Sequence, residues 1–374
     1  MRSPAITTQP KATSGESRGT AIGAPETLTE SRLSQLFSTS DADFQDDMLQ
    51  GVSRTFALTI PQLPPKLRHI VSNAYLLCRI VDTIEDEPEI EAKQKQELCK
   101  RFINLVGEKD NAEDFKNTLA PLLSKNTIPA EHELIKHLPR VIAITHAFDE
   151  DQQKALKRCI RIMADGMAYF QNHTTGEGLE NLEEMDRYCY FVAGVVGEML
   201  TDLFAIYSPE MKAKHTEMMD LAVSFGQGLQ MTNILKDIWE DQERSACWLP
   251  KDIFEKEGFD LGNMNGTSND NFQKGLEKLI AVAHAHLENA FKYTLLIPAK
   301  EAGIRKFCLW ALGMAILTLK KINHNKGFTD SGEVKISRKS VKRTIIATHL
   351  TAKSDLMLKL LFNLSRKGLP RTSL

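Results

Sequence analysis

No proline occurs between positions 141 and 207, and apart from a loop at 173–178 the apolar residues there recur close to every 3.6 positions. A run of that length and period is helical, and two helices account for it. The same spacing marks helices over 65–87, 212–243 and 276–296, and a last amphipathic helix over 341–364. A helix over 307–322 is apolar almost all round and is therefore expected to be buried. Pro121, Pro129 and Pro139 break the stretch 90–150, which is helical but suggests no chemistry. Segment 332–339 reads as a loop or short strand. No internal repeat or strand-rich region interrupts the series, so the chain is expected to be all-α. Residues 1–40, rich in Ser, Thr, Gly and Pro, form an expected disordered tail with a short helix over 28–37. Residues 41–365 form one all-α domain, and 366–374 a C-terminal tail.

The stretch 75–88 reads YLLCRIVDTIEDEP. Asp82, Glu85 and Asp86 fall at i, i+3 and i+4 and share one helix face, with Leu76, Leu77, Ile80, Val81 and Ile84 packed into the same turns. Pro88 stops the helix straight after them, so three acids occupy the end that prefers cations. Clustered carboxylates on a packed helix repel unless a cation neutralises them, and a hard divalent cation such as Mg²⁺ suits oxygen ligands and bridges to phosphates. A solvated acidic helix end is the competing reading.

A second stripe lies on the helix 212–243, where Asn233, Asp237 and Asp241 step by four with Ile234, Leu235 and Ile238 on the other side and Gln230 one turn earlier. Alone it could equally be a solvent face. Two such stripes on separate long helices, each with apolar backing, imply more. Facing each other across a bundle, they would put carboxylates at the mouth of an apolar cavity. Such a cavity suits a diphosphate head and a long hydrocarbon tail, with Arg54, Arg79, Lys236 and Arg244 as further phosphate holders. Between the stripes, Gly194 and Gly197 interrupt an apolar helix, the mark of close approach by another helix or a ligand. His284 and His286, two apart, face different sides and are not a metal pair.

Composition restricts the partners. A formal net charge of -2 gives no case for nucleic-acid binding. From Lys320 onward, however, 13 Lys and Arg stand against three acids, which makes peripheral contact with an anionic membrane an expectation. The six scattered cysteines and the lack of an apolar signal region point to a reducing, cytoplasmic setting. The apolar runs 191–207 and 307–319 are expected to be too broken or too short to span a bilayer.

Together, Ser53-Arg54-Thr55-Phe56, Tyr75 to Arg79, Asp82-Thr-Ile-Glu-Asp86, the Tyr188–Gly197 run and Gln230 to Asp241 resemble the squalene and phytoene synthase family, in the family's order. The resemblance implies an isoprenoid-synthase helical bundle around a central apolar cavity and a head-to-head (1′-1) condensation of two prenyl diphosphates, farnesyl diphosphate foremost, in a monomer. It implies one Mg²⁺–diphosphate cluster at Asp82, Glu85 and Asp86 and another at Asn233, Asp237 and Asp241. Tyr75, Arg79 and Tyr188 resemble catalytic positions, although Tyr188 also reads as a core tyrosine. Ser53, Arg54, Phe56, Gln230 and Arg244 resemble substrate-contacting ones.

Within the family the features lean to the squalene branch, which finishes the reaction with NADPH. The 333–339 segment resembles a basic flap over the nicotinamide site, with Lys335 in place, Arg338 shifted by one, and Lys236 where an arginine is usual. The Trp248-Leu-Pro250 stop is intermediate between branches. A phytoene or dehydrosqualene synthase, a presqualene diphosphate synthase and a catalytically silent relative are the alternatives.

Overall fold

The computed structural model describes residues 40–53, 55–171, 176–264 and 269–374. The expected helix over 28–37 and Arg54 lie outside them. Among the described residues the chain is helical throughout, and the sole extended pairing is an isolated parallel bridge between Leu179 and Pro250.

The helices that build the site are α1 (Asp41–Val52), α2 (Pro65–Asp86), α3 (Pro129–Lys136), α4 (Glu150–Gln171), α5 (Leu182–Cys189), α6 (Val195–Tyr207), α7 (His215–Lys236), α8 (Ile238–Glu243), α9 (Asp270–Leu296) and α10 (Ala302–His324). The chain ends in α11 (Ser331–Val334), α12 (Arg338–Thr351) and α13 (Asp355–Ser365). Pro65 opens α2 at the first position, where its missing N–H costs nothing. The Ser40 and Asn269 side chains cap α1 and α9 by accepting from the backbone N–H groups of Asp43 and Phe272.

Helix α7 is central: it packs against α9, α6 and α10. One apolar cluster gathers α1, α2, α4 and α6, and a second gathers α5, α7, α9, α10 and α13. Where α6 meets α7 the backbones nearly touch. A Cβ on Gly197 would lie 2.1 Å from the Ala222 carbonyl oxygen, and one on Gly226 would lie 2.1 Å from that of Ala193. The glycines therefore serve helix–helix approach, and Tyr190–Gly194 between α5 and α6 widens into a π turn at that crossing.

The structure corrects several expected boundaries. The 332–339 segment contains no strand; Asp330 and Ser337 cap α11 and α12 through their side chains. The last helix is two, because Ser354 caps a new start at Asp355. The stripe helix is also two: Asp237 leaves helical geometry at φ -100 and ψ 16, separating α7 from α8. Two stretches, Leu182–Tyr207 and Ala302–His324, are long and apolar enough by length and composition to cross a membrane. The first is longer than expected because the π turn carries the apolar pattern through, and α10 extends beyond both ends of 307–319. Here both pack into the bundle.

The two C-terminal helices are tied down by Arg305, 2% exposed, whose Nε donates to the Ile297 carbonyl. Its Nη1 donates to the Ala352 carbonyl and pairs with Asp355 at 2.7 Å. Replacing Arg305 by Met strips two buried carbonyls of their donor. A loss of about 3 kcal/mol in urea unfolding is expected, with α12 and α13 losing amide-exchange protection first.

Candidate active site

A cavity of about 390 Å³ opens between α2, α6, α7 and α10. Val71, Ala74, Val196, Leu200, Phe204, Phe225, Leu229 and Phe307 give it an apolar wall. Polar groups gather on part of that wall: Arg79 and Asp82 from α2, Gln230 and Asn233 from α7. One acid of the first motif and the amide of the second therefore share one cavity. Tyr75 and Phe56 line it too, their rings 5.1 Å apart. The Tyr75 hydroxyl donates to the Val52 carbonyl at 3.2 Å, and burial raises its pKa. Ser53 accepts from the Phe56 backbone N–H at 3.0 Å and so shapes the turn beneath them.

The acidic end of α2 is held by partners that sequence did not reveal. Lys95 donates to the Glu85 carbonyl, putting a cation at the helix C-terminus in spite of the acids there. Glu87, 1% exposed, accepts from the Ser124 backbone N–H at 2.9 Å and from the Thr127 hydroxyl. Those bonds lower its pKa against the opposing effect of burial. Glu87 is thus an anchor rather than part of the exposed acid set. Arg79 is clasped by Glu131 of α3 and lies 3.8 Å from Asp82, while its buried Nε has no partner. Glu131 comes from the stretch that suggested no chemistry; a single acid in the first turn of a helix carries no signal of a distant arginine.

The two motifs approach each other. Burial, with Asp86 and Glu131 adding to it against Arg79, raises Asp82 to about 7. Burial raises Asp241 to about 6, with further contributions from Asp237 and, across the site, Asp86. Asp237 is raised by burial as well, and its carboxylate pairs with Lys236 at 3.0 Å. Arg244, exposed after α8, lowers both Asp237 and Asp241 through its charge. Tyr188 does not line the cavity. It is 7% exposed, stacks on Trp248 with centroids 3.9 Å apart, and is raised by burial and by the charges of Glu85, Asp86 and Asp241. The charges of both motifs therefore reach it, and its stacking partner Trp248 belongs to the stretch that reads in sequence as a helix stop and a branch marker.

The donor set fits a hard divalent cation: it is oxygen-only, crowded with like charge and short of compensating cations. Among the described residues no three or more His, Cys, Asp or Glu side chains converge as a ready metal cluster. The carboxylates are gathered without being drawn together. Lys335 and Arg338 sit outside the cavity, exposed on the segment around α11. That segment docks on α8, the Ser331 N–H donating to Glu240 at 3.1 Å and Trp239 Nε1 to the Phe328 carbonyl at 2.7 Å.

Asp82 and Asp241 hold protons in the folded chain at pH values where the unfolded chain has lost them. The folded state then loses relative stability as pH rises from about 4 to about 7. Metal-free protein in which Asp82 is replaced by Asn should therefore melt above the wild type by about 2 °C or more at pH 8, with the gap closing toward pH 4. Calorimetry across that range checks it; a constant gap would mean that burial and the neighbouring charges do not raise Asp82.

An all-α bundle with two acidic motifs meeting beside an apolar cavity is an isoprenoid-synthase fold. The squalene/phytoene synthase family profile matches residues 49–340, and the chain belongs to that family. It is similar to the squalene synthases of Cyberlindnera jadinii (30% identical, 75% of this chain and 61% of that one) and Eremothecium gossypii (32%, 75% and 62%). Squalene synthase 1 of Arabidopsis thaliana is 28% identical over 82% of this chain and 70% of its own. The chain thus spans about three fifths of the length of the first two relatives. Among solved structures, a complex of TcSQS with the ligand BPH1237 superposes with a TM-score of 0.70 at 25% identity, covering 87% of this chain and 91% of that one. A dehydrosqualene synthase complex, at TM-score 0.59 and 19% identity over 86% and 99%, shares the fold.

Proposed function

We propose that this protein joins two molecules of farnesyl diphosphate head to head, through presqualene diphosphate, and reduces the product to squalene with NADPH. The observation that carries the reading is one apolar cavity whose wall includes both Asp82 and Asn233. The apolar wall offers Phe56, Tyr75 and Phe225 to a carbocation. Arg79, held in place by Glu131, lines the cavity and would bring its guanidinium charge to the diphosphate. Gln230 stands on the same wall to orient the head group. Tyr188 retains its proton at neutral pH, and in this reading its neutral hydroxyl acts from behind the cavity wall rather than from the lining.

Asp82, Glu85 and Asp86 would hold Mg²⁺ on one side, and Asn233, Asp237 and Asp241 on the other. Bound there, Mg²⁺ supplies charge stabilisation of the departing diphosphate. Lys335, Arg338 and Lys236 would hold the phosphates of NADPH, which supplies the hydride. The docking of the 331–334 turn on α8 supports this part of the reading.

The test is product analysis of the purified full chain with Mg²⁺ and either farnesyl or geranylgeranyl diphosphate, with and without NADPH. Squalene formed from the farnesyl substrate only when NADPH is present is the expected result. A conjugated, UV-absorbing product indifferent to NADPH would make the protein a phytoene or dehydrosqualene synthase instead. Presqualene diphosphate accumulating despite NADPH would end the reaction at its first half.

A further inference from the structure

The C-terminal hairpin of α12 and α13 leaves an apolar face uncovered. Leu350 is 72% exposed, Leu356 79%, Leu360 62% and Leu364 61%, with Ile346 and Met357 exposed beside them. On α13 the leucines step by four, forming a stripe along one side of the helix, while Leu358 and Phe362 bury the other side against the bundle. On α12, Ile346 and Leu350 repeat the spacing, and both helices pack on α10, so their remaining faces turn outward. Most of the large exposed apolar side chains of the described residues are concentrated on this one hairpin. Isolated exposed leucines need no explanation, but a contiguous row of them does.

The charge around the stripe says what covers it. Lys339, Lys342, Arg343, Lys353, Lys359 and Lys367 are exposed along the hairpin. Its one acid, Asp355, is engaged by Arg305. We propose that this hairpin is an interfacial docking surface for an anionic lipid bilayer, the leucines entering the acyl boundary and the lysines meeting lipid phosphates. A second copy of the chain would bring like charges together. The inference rests on the hairpin alone and stands whatever reaction the cavity performs.

The experiment is flotation of the full chain with vesicles of phosphatidylcholine alone and of equal parts phosphatidylcholine and phosphatidylglycerol. Partitioning at least tenfold stronger onto the anionic vesicles, weakened by added salt, is expected. The double variant Leu356→Asn and Leu360→Asn should lose at least tenfold of that binding with unchanged melting temperature, since both side chains are exposed in the folded protein. The variant Lys342→Glu and Lys359→Glu should lose the preference for anionic vesicles. Equal binding by wild type and the leucine variant, or no binding by wild type at low salt, would overturn the proposal. So would a wild-type dimer in gel filtration that the leucine variant converts to monomer while vesicles bind neither.

Discussion

Asp82→Asn is expected to lower hydrocarbon formation by on the order of a thousandfold, with no recovery at any Mg²⁺ concentration. Asp82 is the one acid of the first motif on the cavity wall, and it lies 3.8 Å from Arg79. In the proposed reaction, loss of its charge would remove a cation ligand where diphosphate charge develops, while the amide keeps the shape of the site. The same substitution removes a charge disfavoured first by burial and then by Asp86 and Glu131, against the favourable pull of Arg79, so the inactive variant should be the more stable protein without metal. Stability gained as activity is lost identifies a functional site, because a merely structural carboxylate would lose both. Steady-state product analysis beside calorimetry reads both quantities, and near-normal turnover would reduce the motif to surface charge.

Gly226→Ala should have the largest effect on the fold of any single added methyl. Its new Cβ would fall 2.1 Å from the Ala193 carbonyl oxygen and 2.7 Å from the Gly194 nitrogen, and neither is a side chain that can swing aside. Helix α7 must then move away from the π turn, at a cost of about 3 kcal/mol or more. Gly226 and Ala193 both line the cavity, so the shift should also impair substrate fit. Urea unfolding measures the first consequence and KM for the prenyl substrate the second. Gly258→Ala is a useful contrast. That residue has φ +75 and only an Asn271 side-chain nitrogen 3.4 Å away, so backbone strain should destabilise it mildly without touching KM.

Much of this was legible in sequence because helical periodicity is a local property. The start of α2 at Pro65, its end beside the acids, and the burial of α10 follow from proline chemistry and apolar spacing. The errors fall where local signals compete. Asp237 continues the four-residue step in sequence, yet the backbone leaves helical geometry there, so Asn233 lines the cavity from α7 while Asp241 sits on the separate helix α8. Ser354 looked like one polar residue in an amphipathic run, but its side chain caps a new helix.

The acidic stretch 75–88 and the second Asn/Asp stripe were visible in the residues themselves, as was the requirement for something to offset their charge. Spacing within one helix is enough to put side chains on one face. Spacing cannot say which helices meet. Only the tertiary structure brought Glu131 to Arg79, Lys95 and Ser124 to the end of α2, Trp248 onto Tyr188 and Asp241 within reach of Asp86. Apart from Lys95, ten residues beyond Glu85, these groups come from distant parts of the chain, and their meeting is selected by how the apolar faces pack rather than by any pattern along the sequence.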